Sequence, residues 1–339
     1  ERVELPLAES FTISRGTQET AENVVVRIED DGGMVGVGAA APSSHYGETP
    51  ETVEAVLPEL LAVVERVGDP HALAETNRRM RETVRGNGAA RAAVDVALHD
   101  LAAKRLGVPL YRLLGLDPST APPTSFTLGI DEPERMREKA ASAVEAGYGV
   151  LKVKVGTDDD EAVVAAVRDA APEATIRVDA NEAWTPREAV RNSEWLAEQG
   201  VEFVEQPVPA EDREGLQFVH ERSALPIAAD ESCVTLPDVA AVADRTDIVN
   251  LKLMKCGGPR EAVRMLHAAR AHGLETMLGC MIETNAAIAA GYHLAPLLDY
   301  ADLDGSLLLA DDPFEGVPTE GGEFDLASLD RSGTGARER

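Results

Sequence analysis

Eight short apolar, strand-like segments recur from about residue 124 onward, and no other feature restricts the fold of this chain so strongly. They centre near Phe126, Lys152, Arg177, Phe203, Ala228, Asn250, Met277 and Asp302. The spacing is about 25 residues, enough for one strand, one helix and their two loops. Between them lie alanine-rich amphipathic stretches, including Pro133–Ala146, Asp158–Ala171, Pro186–Gln199 and Pro259–His272. Eight strands, each followed by a helix, predict an α/β protein with a (β/α)8 barrel. The alternative, an open doubly wound sheet, usually carries a glycine-rich phosphate loop after its first strand, and Thr127-Leu128-Gly129-Ile130-Asp131 is not one.

Residues 1–118 have a different rhythm. Asn23 to Glu29 alternates and is β-branched, Asp30-Asp31-Gly32-Gly33 reads as a hairpin turn, and Met34 to Ala39 returns. Ser14–Glu22 and Pro42–Pro50 read as loops. Helical patterns follow at Glu51–Val67, His71–Arg85 and Ala89–Leu106, the last with Ala93, Val94, Ala97, Leu98 and Leu101 on one face. The predicted organisation is an N-terminal α+β capping domain over residues 1–118, completed by the tail 310–339, and a barrel over 119–309.

Composition narrows the function. With 32 Lys+Arg against 60 Asp+Glu, the formal net charge is −28. Such a surface repels nucleic acid and anionic membranes. No apolar run reaches membrane-spanning length, and no basic-then-apolar leader opens the chain. Cys233, Cys256 and Cys280 are odd in number and far apart, which points to a reducing cytoplasm rather than a disulfide framework. An acidic, lysine-poor surface suits a protein that stays soluble at high salt.

Lysine is rare, and its placement is informative. Only six occur, and four of them (Lys152, Lys154, Lys252 and Lys255) fall in two strand-like segments. In Val150-Leu151-Lys152-Val153-Lys154-Val155 the alternation puts Lys152 and Lys154 on one face. Unlike arginine, a lysine can have its pKa lowered until it exchanges a proton near neutral pH.

Barrel chemistry sits at the C-terminal strand ends. Those ends carry Lys152 and Lys154 on strand two, Asp179 and Asn181 on three, Glu205 on four, and Asp230 and Glu231 on five. Strand six contributes Lys252, strand seven Glu283 just past its end, and strand eight Asp302 and Asp304. Asp179, Glu205 and Asp230 end three consecutive strands, so they converge and repel unless a cation neutralises them. Hard oxygen ligands without Cys or His select Mg2+, or Mn2+, over zinc. Lys154 and Lys252 come from opposite sides of an eight-stranded ring. Such a pair can act as base and acid on the two faces of one carbon, removing a proton α to a carboxylate and returning it from the other side. Asp302 and Asp304 project to one side and suit a substrate ammonium.

Together these residues resemble the enolase superfamily. Lys152-Val153-Lys154, Asp179-Ala180-Asn181-Glu182-Ala183-Trp184, Val204-Glu205-Gln206-Pro207, Ala229-Asp230-Glu231-Ser232 and Asn250-Leu251-Lys252 are similar to the strand-end motifs of its muconate-lactonizing-like subgroup. Asp302-Leu303-Asp304-Gly305 and Thr124-Ser125-Phe126-Thr127-Leu128-Gly129 are similar to segments of the dipeptide epimerases within it. The resemblance implies metal ligands at Asp179, Glu205 and Asp230, supported by Asn181 and Glu231. It implies catalytic lysines at 152, 154 and 252, and substrate contacts at Asp302, Asp304, Thr127 and Glu283. It also implies a homo-oligomer acting on a dipeptide, with the side chain read by two capping loops around Arg15–Gln18 and Ser43–Glu48. There Arg15 can pair with an acidic side chain, as in an Ala-Glu type dipeptide, and His45 and Tyr46 can close over the substrate. Gly36-Val37-Gly38-Ala39 and Ser332-Gly333-Thr334-Gly335 depart from the relatives' usual pattern. Other reactions of the superfamily (o-succinylbenzoate synthesis, N-acylamino acid racemisation, muconate cycloisomerisation) share the lysines and acids, but their substrates lack an ammonium for the two aspartates. A non-catalytic barrel would have no use for so much buried charge.

Overall fold

A computed structural model describes residues 1–339. The chain opens with three antiparallel strands, β1 (Arg2–Ile13), β2 (Gly16–Glu29) and β3 (Val35–Ala40). Helices α1 (Pro50–Val67), α2 (Leu73–Thr83), α3 (Gly88–Arg105) and the single turn α4 (Leu110–Leu113) follow. Most of Ser14–Glu22 is therefore strand rather than loop. β1 and β2 pair as one long hairpin that turns at Ser14-Arg15, with Ile13 opposite Gly16. The segment is too polar to show the apolar alternation of a half-buried strand, which hid it in the sequence.

α3 also differs from expectation. Every residue from Gly88 to Ala103 is buried, so the helix has no solvent face. It lies so close to β3 that a Cβ on Gly36 or Gly38 would come within 2.1 or 2.2 Å of the carbonyl oxygens of Ala97 and Ala93. The two glycines on the strand and the alanines on the helix let the backbones approach this closely.

The barrel strands are β4 (Phe126–Leu128), β5 (Val150–Lys154), β6 (Thr175–Asp179), β7 (Val201–Glu205), β8 (Ile227–Ala229), β9 (Ile248–Lys252), β10 (Glu275–Gly279) and β11 (Tyr300–Asp302). They form one parallel sheet in chain order, and a bridge between Thr124 and Ala301 joins its edges. Helices α5 (Pro133–Glu145), α6 (Asp160–Ala170), α7 (Pro186–Glu198), α8 (Arg213–His220) and α9 (Leu236–Val242) each follow a strand. After β9 comes the turn α10 (Leu253–Cys256) and then α11 (Pro259–Ala271), and after β10 comes α12 (Asn285–Leu294). The predicted barrel is present, with one departure: no helix follows the eighth strand. The chain instead runs from β11 into the tail. There the Asp100 carboxylate accepts from the Thr334 N–H at 2.8 Å and from the Val37 N–H at 2.9 Å, tying the tail to α3 and β3. The tail also crosses the N-terminal end of the barrel, where Thr124 N donates to Gly322 O at 2.8 Å.

Strand alternation sorts the side chains. Leu151 and Val153 face outward into a core shared with Val163, Val164 and Val167 of α6. Inside, Phe203, Ala228, Ile248 and Met277 form a small apolar cluster. The Arg177 guanidinium lies 5.3 and 5.0 Å from the ring centroids of Phe203 and Tyr300, a cation–π plug across the barrel floor. The ionisable groups of β5 to β9 stand at the other end, beneath the cap.

Candidate active site

The inward-facing strand-end residues form one buried network of charge. Lys152 Nζ lies 2.7 Å from Asp302 Oδ2, 2.8 Å from Glu205 Oε2 and 3.1 Å from Asp179 Oδ2. Lys154 Nζ donates to Asp179 Oδ2 at 2.6 Å, and Lys252 Nζ to Asp230 Oδ2 at 2.8 Å. Lys255, which carried no role in the sequence reading, donates to Asp230 Oδ1 at 2.5 Å and to the Asp230 and Asn250 carbonyls. Asn250 Nδ2 donates to Glu205 Oε1 at 2.7 Å. Four carboxylates are thus interleaved with four amines.

Asp179, Glu205 and Asp230 are fully buried, with oxygens all within 4.8 Å of one another. Burial pushes the Glu205 carboxyl up, to about 8, and the Asp179 and Asp230 charges add to it, with Lys152 opposing. Its Oε2 has no well-directed hydrogen bond, although Lys152 stands near it. An oxygen-only donor set, tightly grouped and with one buried oxygen left without a hydrogen bond, fits a hard divalent cation.

Asp230 and Asp179 lie below the usual carboxylate range despite burial, because Lys252 and Lys255 hold the first and Lys154 and Lys152 the second. The same pairing acts on the lysines. Burial alone lowers Lys152 and Lys252, but Asp302, Glu205 and Asp179 outweigh it at the first, and Asp230 at the second. Both therefore sit above the ordinary lysine value. At Lys152 and Lys252 the protein's own groups therefore do not depress the pKa, since each Nζ is within 3 Å of a buried carboxylate.

Loop conformation aims the surrounding side chains. Asn181 (φ 42°), Glu182 (φ 69°) and Gln206 (φ 35°) hold left-handed backbone just past β6 and β7. Asn181 N donates to Asp179 Oδ1 at 2.9 Å, and its side chain lies between Asp179 and Glu231. The Gln206 side chain accepts from the N–H groups of Asp230 and Ser232, locking the loop after β8. Gln206, Asn250 and Lys255 went unassigned in sequence reading. Only the lysine, concentrated with three others in two strand segments, gave a signal.

A cavity of about 610 Å3 opens between the barrel mouth and the cap, lined by Lys152, Lys154, Lys252, Asn181, Asp302 and Asp304 among others. The two lysines expected to face each other do share one space. Thr127 lines it too, and its N–H donates to Asp304 Oδ2 at 2.6 Å. Burial and the neighbouring Asp302 raise Asp304 to about 6. Asp302 has both oxygens engaged, one by Lys152 and one by the Ser125 hydroxyl. Glu283 does not line the cavity. It is buried behind the mouth, where its Oε1 accepts from Met281 N at 2.9 Å and desolvation raises it to about 7. Arg15 and His45 reach the cavity from the cap. Arg15 is already paired, donating to Glu231 Oε1 at 2.8 Å, Glu182 Oε2 at 3.1 Å and Asn181 O at 3.0 Å.

Residues 135–336 match the model of enolase C-terminal domain-like proteins, and residues 2–115 that of the mandelate racemase / muconate lactonizing enzyme N-terminal domain. The chain is 39% identical to the L-Ala-D/L-Glu epimerase of Bacteroides thetaiotaomicron, over 96% of its own length and 84% of the relative's. It is 38% identical to the hydrophobic dipeptide epimerase of Enterococcus faecalis, over 92% and 90%. A crystal structure of an Enterococcus faecalis dipeptide epimerase, complexed with Mg and L-Leu-L-Tyr, superposes with a TM-score of 0.90 at 37% identity, covering 100% and 98% of the two chains. The N-succinyl Arg/Lys racemase of Bacillus cereus superposes with a TM-score of 0.91 at 29% identity, covering 99% and 93%. Strand-end acids, paired lysines, the antiparallel cap and both family models agree: this chain belongs to the enolase superfamily.

Proposed function

We propose that this chain is a Mg2+-dependent dipeptide epimerase, with Mn2+ an acceptable substitute, inverting the α-carbon next to the free carboxylate. The observation that carries this is the shared cavity, with Lys154 and Lys252 entering from opposite strands and Asp302 and Asp304 at a third position. Asp179, Glu205 and Asp230 would hold the ion, which when bound supplies a Lewis acid for the substrate carboxylate. Lys152, buried among three acids, keeps its proton and places positive charge where the enediolate oxygen develops. One of Lys154 and Lys252 takes the α-proton and the other delivers a proton to the opposite face. The Asp304 Oδ1, left free of the Thr127 contact, accepts from the dipeptide's ammonium.

An N-acylamino acid racemase would use the same lysines, and one structural relative carries that chemistry. Asp304 disfavours it here, because an acylated amine offers no cation for this carboxylate.

Exchange of the α-proton during incubation with L-Ala-L-Xaa dipeptides in D2O, followed by NMR, is the test. Inversion with deuterium incorporation is expected for the parent enzyme, and neither Lys154→Ala nor Lys252→Ala should invert. Inversion that survived either change would overturn the two-lysine assignment. No helix is long and apolar enough to cross a membrane. The proposal extends to a cytoplasmic setting, supported by three unpaired cysteines. It extends also to a homo-oligomer, which light scattering in solution checks.

A further inference from the structure

Taking the epimerase reading as its basis, we infer that this enzyme acts on dipeptides whose C-terminal side chain is uncharged, and discriminates against acidic ones. The α-carbon between Lys154 and Lys252, with its carboxylate at the acid trio, directs that side chain outward to the cap, where Arg15 at the β1–β2 turn lines the cavity. An unengaged arginine there would select a carboxylate. This one is engaged. It makes three hydrogen bonds, to Glu231, to Glu182 and to the Asn181 carbonyl. Glu182 alone balances the guanidinium's charge, and Glu231 and the Asn181 carbonyl occupy further N–H groups, so the group has no surplus positive charge to attract an acidic side chain.

A basic side chain gains nothing either. Glu182 Oε2 is taken by Arg15, with His45 Nε2 3.4 Å away, and its Oε1 accepts from Ala210 N at 2.7 Å. Neither Glu182 nor Glu231 lines the cavity; of the cap's acidic and basic side chains Arg15 and Glu22 do, the latter already held by Arg2. Beside them the cap's lining near the turn is made of Gly16, Thr17, Gln18, Ser43 and Ser44, which carry no charge, with His45 next to Ser44. A neutral side chain meets this wall without desolvating an unmatched charge.

The test compares kcat/KM for L-Ala-L-Gln, L-Ala-L-Glu and L-Ala-L-Lys, which are close in size and differ in charge. We expect the glutamine dipeptide to exceed both others by about tenfold or more, the scale on which an unmatched polar group is rejected. Glu182→Gln loosens the hold on Arg15 and should narrow the gap between Gln and Glu dipeptides about tenfold. Equal or faster turnover of L-Ala-L-Glu by the parent enzyme would overturn the specificity claim while leaving the epimerase reading intact. Absence of α-proton exchange with all three would overturn both.

Discussion

Each buried charge in the mouth is stable only because of its neighbours, and this sets the consequences of substitution. Lys255 serves Asp230 and two carbonyl oxygens, with its own side chain fully buried. Lys255→Met would leave Asp230 with Lys252 alone and leave two carbonyls short of a donor. Losing one partner of a buried pair costs about 3–5 kcal/mol, so urea denaturation should show a loss of that size. A change below about 1 kcal/mol would mean that the lysine is not the partner the geometry makes it. His293 gives the pH dependence. It accepts from the Tyr111 N–H at 3.2 Å and hydrogen-bonds the Thr334 carbonyl at 3.0 Å, so the neutral ring joins α12, α4 and the tail. Burial lowers it to about 4, against the Thr334 carbonyl, which favours the charged form. An unfolded histidine titrates near 6.5, so between about 6.5 and about 4 the unfolded chain binds the extra proton. The stability contributed by the neutral ring is present at pH 7 and lost as pH falls through that window, about 3 kcal/mol in all. His293→Leu should be less stable at neutral pH yet lose less on acidification. Equal pH slopes in parent and variant would refute the assignment. At this scale the sequence showed which residue types were scarce and where they clustered. It could not show that Asp302 engages Lys152 or that Asn250 supports Glu205, because those contacts join residues 150 and 45 positions apart.

At the level of elements, periodicity revealed the strands and concealed two other things. The barrel strands were legible because each is a short apolar run with a polar residue at its end and a helix of regular length after it. Ala93, Val94, Ala97, Leu98 and Leu101 predict one apolar face for α3, yet its opposite face is buried too, against α10 and α11. Alanine is ambiguous in a pattern, since it suits either environment. The β1–β2 hairpin was obscured for the opposite reason, its outer half being polar on both faces. The turn-rich polar sequence from about Ala310 predicts a tail, and it gives no sign that the chain leaves β11 without an eighth helix. Gly36 and Gly38 of the cap are explained by the approach of α3. Gly38→Ala places a methyl 2.2 Å from the Ala93 carbonyl oxygen and 2.7 Å from Ala97 N, both rigid backbone atoms. Strand and helix must separate, at a cost of at least about 2 kcal/mol. A lowered melting temperature with faster amide exchange confined to β3 and α3 is the expected signature, and unchanged exchange there would contradict the packing.

The molecule as a whole carries a formal charge of −28, and this governs how salt acts on it. Two kinds of electrostatic energy respond differently. The lysine–carboxylate network of the mouth is buried, so ions in solution barely screen it. Many of the other ion pairs, such as Arg78 with Glu75 and Glu82 or Arg222 with Glu221, lie on the surface, where each is worth about 0–1 kcal/mol and weakens with salt. Against them stands the repulsion among the excess acids, which acts over the whole surface and is long-ranged until the Debye length falls from about 30 Å at 0.01 M to about 3 Å at 1 M. The long-range term is screened first and most, since it acts over many charges at separations beyond the Debye length. Melting temperature should therefore rise as KCl increases from about 0.01 M to about 1 M, steeply at first and then slowly. An equal ionic strength of a different monovalent salt should act alike, because screening depends on charge and not on ion identity. A melting temperature that stayed flat or fell over this range would mean that the surface pairs outweigh the repulsion. The acidic excess would then be balanced locally rather than left for dissolved cations to neutralise.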